Sequence, residues 1–323
     1  MLLLSEKDVK NSLSMNEAIN VMENALFKYA SQDFVQPDRT FTTVKDENTF
    51  MLMPCFVDDC IGLKVVTTYP TNRGTNSPVT QGVVFINDIE TGDPLALING
   101  TFLTTIKTGA VSGVAMRHFK KDAKSVGLIG TGLQGFYQLI AAQSATSVEK
   151  IYLYDRSPES IQSFIEKFQE VSKNDVEIIA VTEKEELIRN SEIIITATTS
   201  PSPVLPEDNG ELYKNKLVIG VGSYKTHMRE LPQTLFEQAD YYYIDSEQGK
   251  LEVGDIIDPI KNGWVKEEQV VLLSDVLAGK KQAPETDNPI VFKTISMALF
   301  DAVIGNYVYK KAKELGIGQQ FDL

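Results

Sequence analysis

Ser125-Val126-Gly127-Leu128-Ile129-Gly130-Thr131-Gly132-Leu133-Gln134-Gly135 decides how this chain is read. A short apolar strand runs into G-x-G-x-x-G, and a helical segment, Phe136 to Ala145, follows directly. A second apolar run, Ile151 to Tyr154, ends in Asp155, about 20 residues past the last glycine, the spacing of a dinucleotide fingerprint. Gly130 allows the tight turn out of the strand. Gly132 lets the backbone approach a pyrophosphate, and Gly135 lets helix and strand pack closely. The helix N-terminus offers unpaired N–H groups and a partial positive charge to the phosphates. Asp155 accepts hydrogen bonds from an adenosine ribose and repels a 2′-phosphate, which favours NAD over NADP. The neighbouring Arg156 pulls toward a phosphate, so NADP stays open. The bland alternative is a glycine-rich turn in an α/β protein without a cofactor.

The chain has 323 residues, enough for about two domains. A net charge of −13 argues against a general nucleic-acid binder, which needs a basic face. Two cysteines, Cys55 and Cys60, cannot make a disulfide scaffold in a chain this long, and a reducing compartment is expected. His118 and His227 are far apart and no C-x-x-C occurs, so no metal site is expected. The start, Met1-Leu2-Leu3-Leu4-Ser5-Glu6, lacks the marks of a signal peptide. No run of about 18 apolar residues exists to span a membrane. The expected location is the cytoplasm, with neither nucleic acid nor membrane as a partner.

Residues 2–4 read as a strand. Ser14-Met15-Asn16-Glu17 is a capping box, opening a helix with Ala18, Val21, Met22, Ala25, Leu26 and Tyr29 on one face. Strands are expected at 41–44, 49–53, 61–69, 82–86 and 95–98, with a loop from Pro70 through Gly74 to Pro78 and a turn at Thr91-Gly92-Asp93-Pro94. Thr104 to Phe119 reads as a helix. Strands at 126–129, 151–154, 176–181, 192–198, 217–221 and 241–244 then alternate with helices such as Pro158 to Val171 and Glu183 to Asn190. That alternation marks a parallel, doubly wound sheet with its ligand at the carboxyl ends of the strands. Ile290 to Lys293 is a short strand or loop, and Ile295 to Ala312 a long helix expected to return to the N-terminal block. The fold class is α/β: a Rossmann-type domain over 118–289, with a second α+β domain made from both chain ends, 1–117 and 290–323.

Ile61-Gly62-Leu63-Lys64-Val65-Val66, followed by Pro70 and Asn72, resembles the substrate-lysine segment of the ornithine cyclodeaminase/mu-crystallin family. The likeness continues through Asp88, Thr91-Gly92, Pro94-Leu95, Thr105-Ile106-Lys107-Thr108-Gly109-Ala110 and the fingerprint from Gly130. It runs on through Val221-Gly222-Ser223, Arg229-Glu230-Leu231, Phe292-Lys293, and Ala298 with Asp301. The family holds amino-acid cyclodeaminases, alanine dehydrogenases, ketimine or cyclic-imine reductases, opine-like synthases and a thyroid-hormone-binding crystallin. The resemblance implies a homodimer built by the N-terminal block and the returning helix. It also implies a dinucleotide in the middle domain and a small amino or imino acid substrate between the two domains. Fold and cofactor follow from it more directly than the reaction does.

Holding a substrate carboxylate calls for a positive cluster, with arginine preferred for its two-pronged geometry. Arg39 matches the family's early carboxylate-binding arginine; its bland alternative is a surface arginine. Lys64 matches the family's essential lysine and would exchange a proton with the substrate nitrogen; the bland alternative is a snorkelling strand lysine. Lys107 stands where the family usually has arginine, keeping the charge and losing the fork. Tyr224 stands where cyclodeaminases carry a catalytic aspartate, and tyrosine, with a pKa of about 10, is a weak base at neutral pH. Met228 replaces their usual lysine. Both departures weigh against ornithine cyclodeamination and leave Tyr224 as a hydrogen-bond donor or a wall. The resemblance further implies Leu133, Gln134 and Gly135 beneath the pyrophosphate and Thr198 near the adenosine or ribose. Val221, Gly222 and Ser223 would line the nicotinamide, with the Thr294 hydroxyl close by. The expected activity is NAD(P)-dependent oxidoreduction of a C–N bond, as an imine or ketimine reductase or an L-amino acid dehydrogenase. The alternatives are a cyclodeaminase-type lyase with recycled NAD and a non-enzymatic dinucleotide-binding protein.

Overall fold

The capping box at Ser14 forms as its spacing demands. The Ser14 side chain accepts from Glu17 N while the Glu17 carboxylate accepts from Ser14 N. The helix it opens, Met15–Ser31, buries Ala18, Ile19, Met22, Ala25 and Leu26. The computed structural model describes the chain except for Asp46, Arg73, Gly74, Asn76, Lys173, Asn174, Asp208, Pro284 and Leu323. Gly74 of the expected loop therefore lies outside the described residues. The chain forms two units, Met1–Lys107 with Met297–Leu323, and Thr108–Ser296.

The first unit carries β1 (Leu2–Leu4), β2 (Thr40–Lys45), β3 (Asn48–Val57), β4 (Cys60–Thr68), β5 (Thr80–Asp88) and β6 (Pro94–Asn99). With a short strand from the returning tail, Gln319–Gln320, they form one sheet in the order tail strand, β1, β6, β5, β4, β3, β2. β4 alternates with period two, burying Cys60, Gly62, Lys64, Val66 and Thr68 on one face. The helix Ala298–Leu315 packs on that face. Its closeness depends on Gly62, where a Cβ would overlap Ala302. Gly305 answers from the helix side, facing Val84 and Ile86 of β5. A side chain so placed on β4 therefore meets the first turn of the helix. At the other edge β2 is exposed along its whole length, including Phe41 and Val44.

The second unit carries β7 (Ser125–Ile129), β8 (Lys150–Tyr154), β9 (Glu177–Ala180), β10 (Ile193–Thr196), β11 (Leu217–Gly220), β12 (Tyr242–Ile244), β13 (Val270–Leu272) and β14 (Ile290–Lys293). All pair in parallel, in the order β13, β12, β14, β11, β10, β7, β8, β9. The order reverses between β7 and β10, where doubly wound sheets open a crevice. β13 has no counterpart among the strands expected from the sequence.

The observed boundaries differ from the expected ones. The sequence pattern groups residues 290–293 with the chain ends, whereas β14 lies between β11 and β12. Val291, Phe292 and Lys293 are buried there, as an interior parallel strand requires. The long helix begins at Ala298 rather than Ile295. Asp245 is the cause: its carboxylate accepts from Thr294 Oγ1, Ile295 N and Ser296 N, and Ser296 takes a left-handed φ of 75°. The helix start is then capped by Gln36 Oε1, which accepts from Leu299 N.

Candidate active site

In the second unit the parallel ladder ends at one row, Tyr154, Ile129, Thr196, Gly220, Lys293 and Ile244. The candidate cofactor residues follow that row: Asp155 and Arg156, Gly130, Thr198, Val221 to Ser223, and Thr294. They gather at the carboxyl edge of the sheet, where such folds bind ligands. Gly130 has φ 102°, and a Cβ there would press on Ala197 O. At Gly135 a Cβ would overlap Gly130 O. Gly132 opens the helix Leu133–Ala145 with no side-chain cap and open space around its Cβ position. Gly132 and Leu133 are exposed, and Gln134 is half-buried. An uncapped helix N-terminus beneath an open glycine face fits the pyrophosphate of a dinucleotide.

Asp155 does more than the fingerprint suggests. Its Oδ2 accepts from Thr131 N at 2.7 Å and Thr131 Oγ1 at 2.9 Å, and its Oδ1 from Ser157 N at 2.9 Å. Each carboxylate oxygen has two acceptor positions, so Oδ1 keeps one for a ribose hydroxyl. Burial pushes the carboxyl up, but these bonds and the Arg156 charge outweigh it and hold it below the ordinary aspartate range. Arg156 itself is exposed.

The loops after β10 and β11 meet on Glu230, a fully buried residue that motif reading left without a role. Its carboxylate accepts from Thr198, Gly222 and Ser223. Ser223 Oγ donates to Met228 O, while Val221 N donates to Thr196 O. The Thr294 hydroxyl donates to Asp245 Oδ2 at 2.8 Å, so its hydrogen is committed to the fold. Tyr224 is exposed at 47 %, with the Lys225 ammonium over its ring.

In the first unit Lys64 and Lys107 converge on one carboxylate. Lys107 Nζ lies 2.5 Å and Lys64 Nζ 3.4 Å from Asp301 Oδ1. All three are buried, with Lys107 at 0 %, Asp301 at 1 % and Lys64 at 5 % exposure. Asp301 sits beside Ala302, the residue seated on Gly62, which is how the first turn of the helix reaches Lys64 two residues along β4. Asp301 Oδ2 has no hydrogen-bond partner among the described residues. Two buried lysines thus share one carboxylate oxygen. Arg39 stands next to Thr40, which pairs with Leu52. Continued by one residue, that register sets Arg39 opposite Met53, the partner of Lys64. Arg39 itself is half-buried and precedes the first registered pair of β2.

The family model described as "Ornithine cyclodeaminase/mu-crystallin family" matches residues 1–316. The chain belongs to this family. A cyclodeaminase/mu-crystallin relative, the Delta(1)-pyrroline-2-carboxylate reductase of Bacillus thuringiensis subsp. konkukian, is 34 % identical over 329 residues and covers 100 % of both chains. The solved Delta(1)-pyrroline-2-carboxylate reductase of Thermococcus litoralis, in complex with NADH and L-proline, superposes with a TM-score of 0.92 at 34 % identity, covering 99 % of this chain and 100 % of that one. An archaeal alanine dehydrogenase dimer with bound NAD gives a TM-score of 0.90 at 25 % identity, covering 100 % and 99 %. The α/β class and the parallel dinucleotide sheet read from the sequence are those of this cyclodeaminase/mu-crystallin fold.

Sequence reading missed Asp301 and Glu230 as site residues, although both stand in segments that carry the family likeness. The available signal was chemical: an acid within an apolar helix start, and an acid beside a glycine-rich loop, each need a buried partner.

Proposed function

We propose that this chain reduces a cyclic imino acid of the pyrroline-2-carboxylate class to the corresponding L-amino acid with NADH. Its broader character is an NAD(P)-dependent oxidoreductase acting on the C–N bond of a small amino or imino acid. The observation that carries the reading is the Lys64–Asp301–Lys107 cluster, which fixes two buried lysines on one carboxylate. Such a cluster holds a proton donor, Lys64, in one place.

In the reduction, the C=N carbon gains a hydride and the nitrogen gains a proton. Reduced nicotinamide would supply the hydride when bound. Lys64 delivers the proton from Nζ to the imine nitrogen and regains one from solvent. Asp301 keeps the two ammoniums together, and Lys107 balances its charge. Arg39 takes the substrate carboxylate, the role that the family likeness gives it. Tyr224, where cyclodeaminases carry an aspartate, supplies no carboxylate to assist loss of ammonia. NADH absorbance with pyrroline-2-carboxylate tests the reading: consumption supports it. Ammonia release from ornithine without net NADH change would replace it with the lyase, and NADH binding without turnover would leave a binding protein.

Asp155 selects NAD over NADP on this reading, because its carboxylate stands where a 2′-phosphate would sit, and like-charge juxtaposition costs several kcal/mol. Asp155→Ser is expected to raise the use of NADPH relative to NADH by about tenfold or more. An unchanged ratio of kcat/KM values would remove Asp155 from that role.

The chain works as a homodimer in the cytoplasm. The dimeric alanine dehydrogenase relative and the exposed β2 edge support the first point. The free, buried Cys55 and Cys60 support the second. No helix among the described residues is long and apolar enough to cross a membrane. Sedimentation as a single chain would sink the dimer.

A further inference from the structure

The loops after β10 and β11 approach so closely that a Cβ on Gly222 would overlap the Thr198 backbone. Backbone this close needs something to hold it and to satisfy its N–H groups. Glu230 does both. Its Oε1 accepts from Thr198 N at 2.6 Å and Thr198 Oγ1 at 2.7 Å. Its Oε2 accepts from Gly222 N at 2.6 Å and Ser223 N at 3.3 Å. A carboxylate has about four acceptor positions, so these four donors use them all. Glu230, at 0 % exposure, has neither access nor spare capacity for a ligand bond.

Glu230 is itself fixed from behind. Its N donates to Asp255 Oδ1 at 2.9 Å, as Leu231 N does at 3.1 Å, and its carbonyl accepts from Val204 N at 2.8 Å. Lys293, fully buried at the end of β14, donates to Gly220 O at 3.1 Å. Burial pushes its amine below the ordinary lysine range, while the charges of Asp255, Glu230 and Asp245 work in the opposite direction. Burial likewise pushes the Asp255 carboxyl up to about 6, against the Lys293 charge.

We propose that Glu230 is a positioning residue for the dinucleotide, clamping the Thr198 and Gly222–Ser223 loops into their binding geometry before the cofactor arrives. This rests on the reading of those loops as cofactor-lining. The role is preorganisation: loops already ordered need not lose their freedom when the ligand binds. Glutamine at this position keeps the shape but turns one acceptor oxygen into a donor group. That group must face either the Thr198 donors or the Gly222 and Ser223 N–H groups, so one jaw of the clamp opens.

The test uses the full chain and Glu230→Gln, with two readouts. Amide hydrogen exchange without cofactor is expected to quicken in peptides holding Thr198 and Gly222–Ser223, with the Leu133–Ala145 helix unchanged. The Kd for NADH, by fluorescence titration, is expected to rise about tenfold or more. Exchange that quickens across the whole unit would overturn the proposal in favour of a merely structural acid. So would unchanged exchange, or quicker loop exchange with unaltered NADH affinity. Should Glu230→Gln fail to fold, Thr198→Val removes one donor to Oε1 and carries the same comparison with smaller expected changes. Wild-type protein that binds no NADH would overturn the cofactor reading itself, which separates that failure from failure of the clamp.

Discussion

Replacing Lys64 with alanine is expected to cut imine reduction by roughly 100- to 10,000-fold, the usual worth of a positioned general acid, while NADH binding stays at the wild-type level. Lys64 lies on the buried face of β4, with its ammonium 3.4 Å from Asp301 Oδ1. Alanine removes the proton donor and leaves the Lys107–Asp301 ion pair in place. The dinucleotide candidates belong to the Thr108–Ser296 unit, whose turn and ladder edge contain no part of Lys64. Steady-state NADH absorbance with a cyclic imino acid reads the first quantity, and fluorescence titration reads the second. Unchanged turnover would remove Lys64 from the chemistry. A parallel loss of NADH binding would show that the two units cannot be disturbed separately.

The second large effect is expected on stability. Asp301→Ala leaves two buried ammoniums without their carboxylate, and breaking a buried pair in this way costs about 3–5 kcal/mol. Burial alone pushes the Asp301 carboxyl up, but the charges of Lys107 and then Lys64 outweigh it and hold the group below the ordinary aspartate range. With a depressed folded-state pKa, the unfolded chain takes up the proton first as the pH falls. The contribution is therefore complete above about pH 4 and is lost as the pH falls through the lower folded-state value. Denaturant titrations should show a wild-type advantage over Asp301→Ala at neutral pH that shrinks in acid. A gap that does not change with pH would mean that the carboxylate charge is not its source.

Much of the fold is legible because its signals are local. The capping box at Ser14, the period-two burial around Lys64 and the glycine turn from Gly130 each need only a few neighbouring residues to be read. What escaped reading is long-range. Ile290-Val291-Phe292-Lys293 is apolar enough to be buried in either unit, and only pairing with β11 and β12 decides between them. The helix expected at Ile295 carries no local stop signal; Asp245, some fifty residues earlier in the chain, delays it. The candidate site divides in the same way. Lys64 and the fingerprint glycines stand out by residue type and spacing. Asp301 meets Lys64 only because Gly62 admits the helix that carries it. The Thr131 bonds to Asp155 could not be read either, since a fingerprint names the acid and not what holds it.

The place of β14 has a consequence for how the molecule comes to be made. Translation delivers β11 and β12 well before the strand that joins them, and the helix that packs on β4 emerges later still. Neither unit can close before that segment has been made, however quickly local elements form. Until then the facing edges of β11 and β12 and one face of the first sheet wait unpaired, which is the interval in which a nascent chain most needs a chaperone. Closure of both units is therefore timed by one late segment, the stretch from Ile290 that finishes the second sheet and then covers the first.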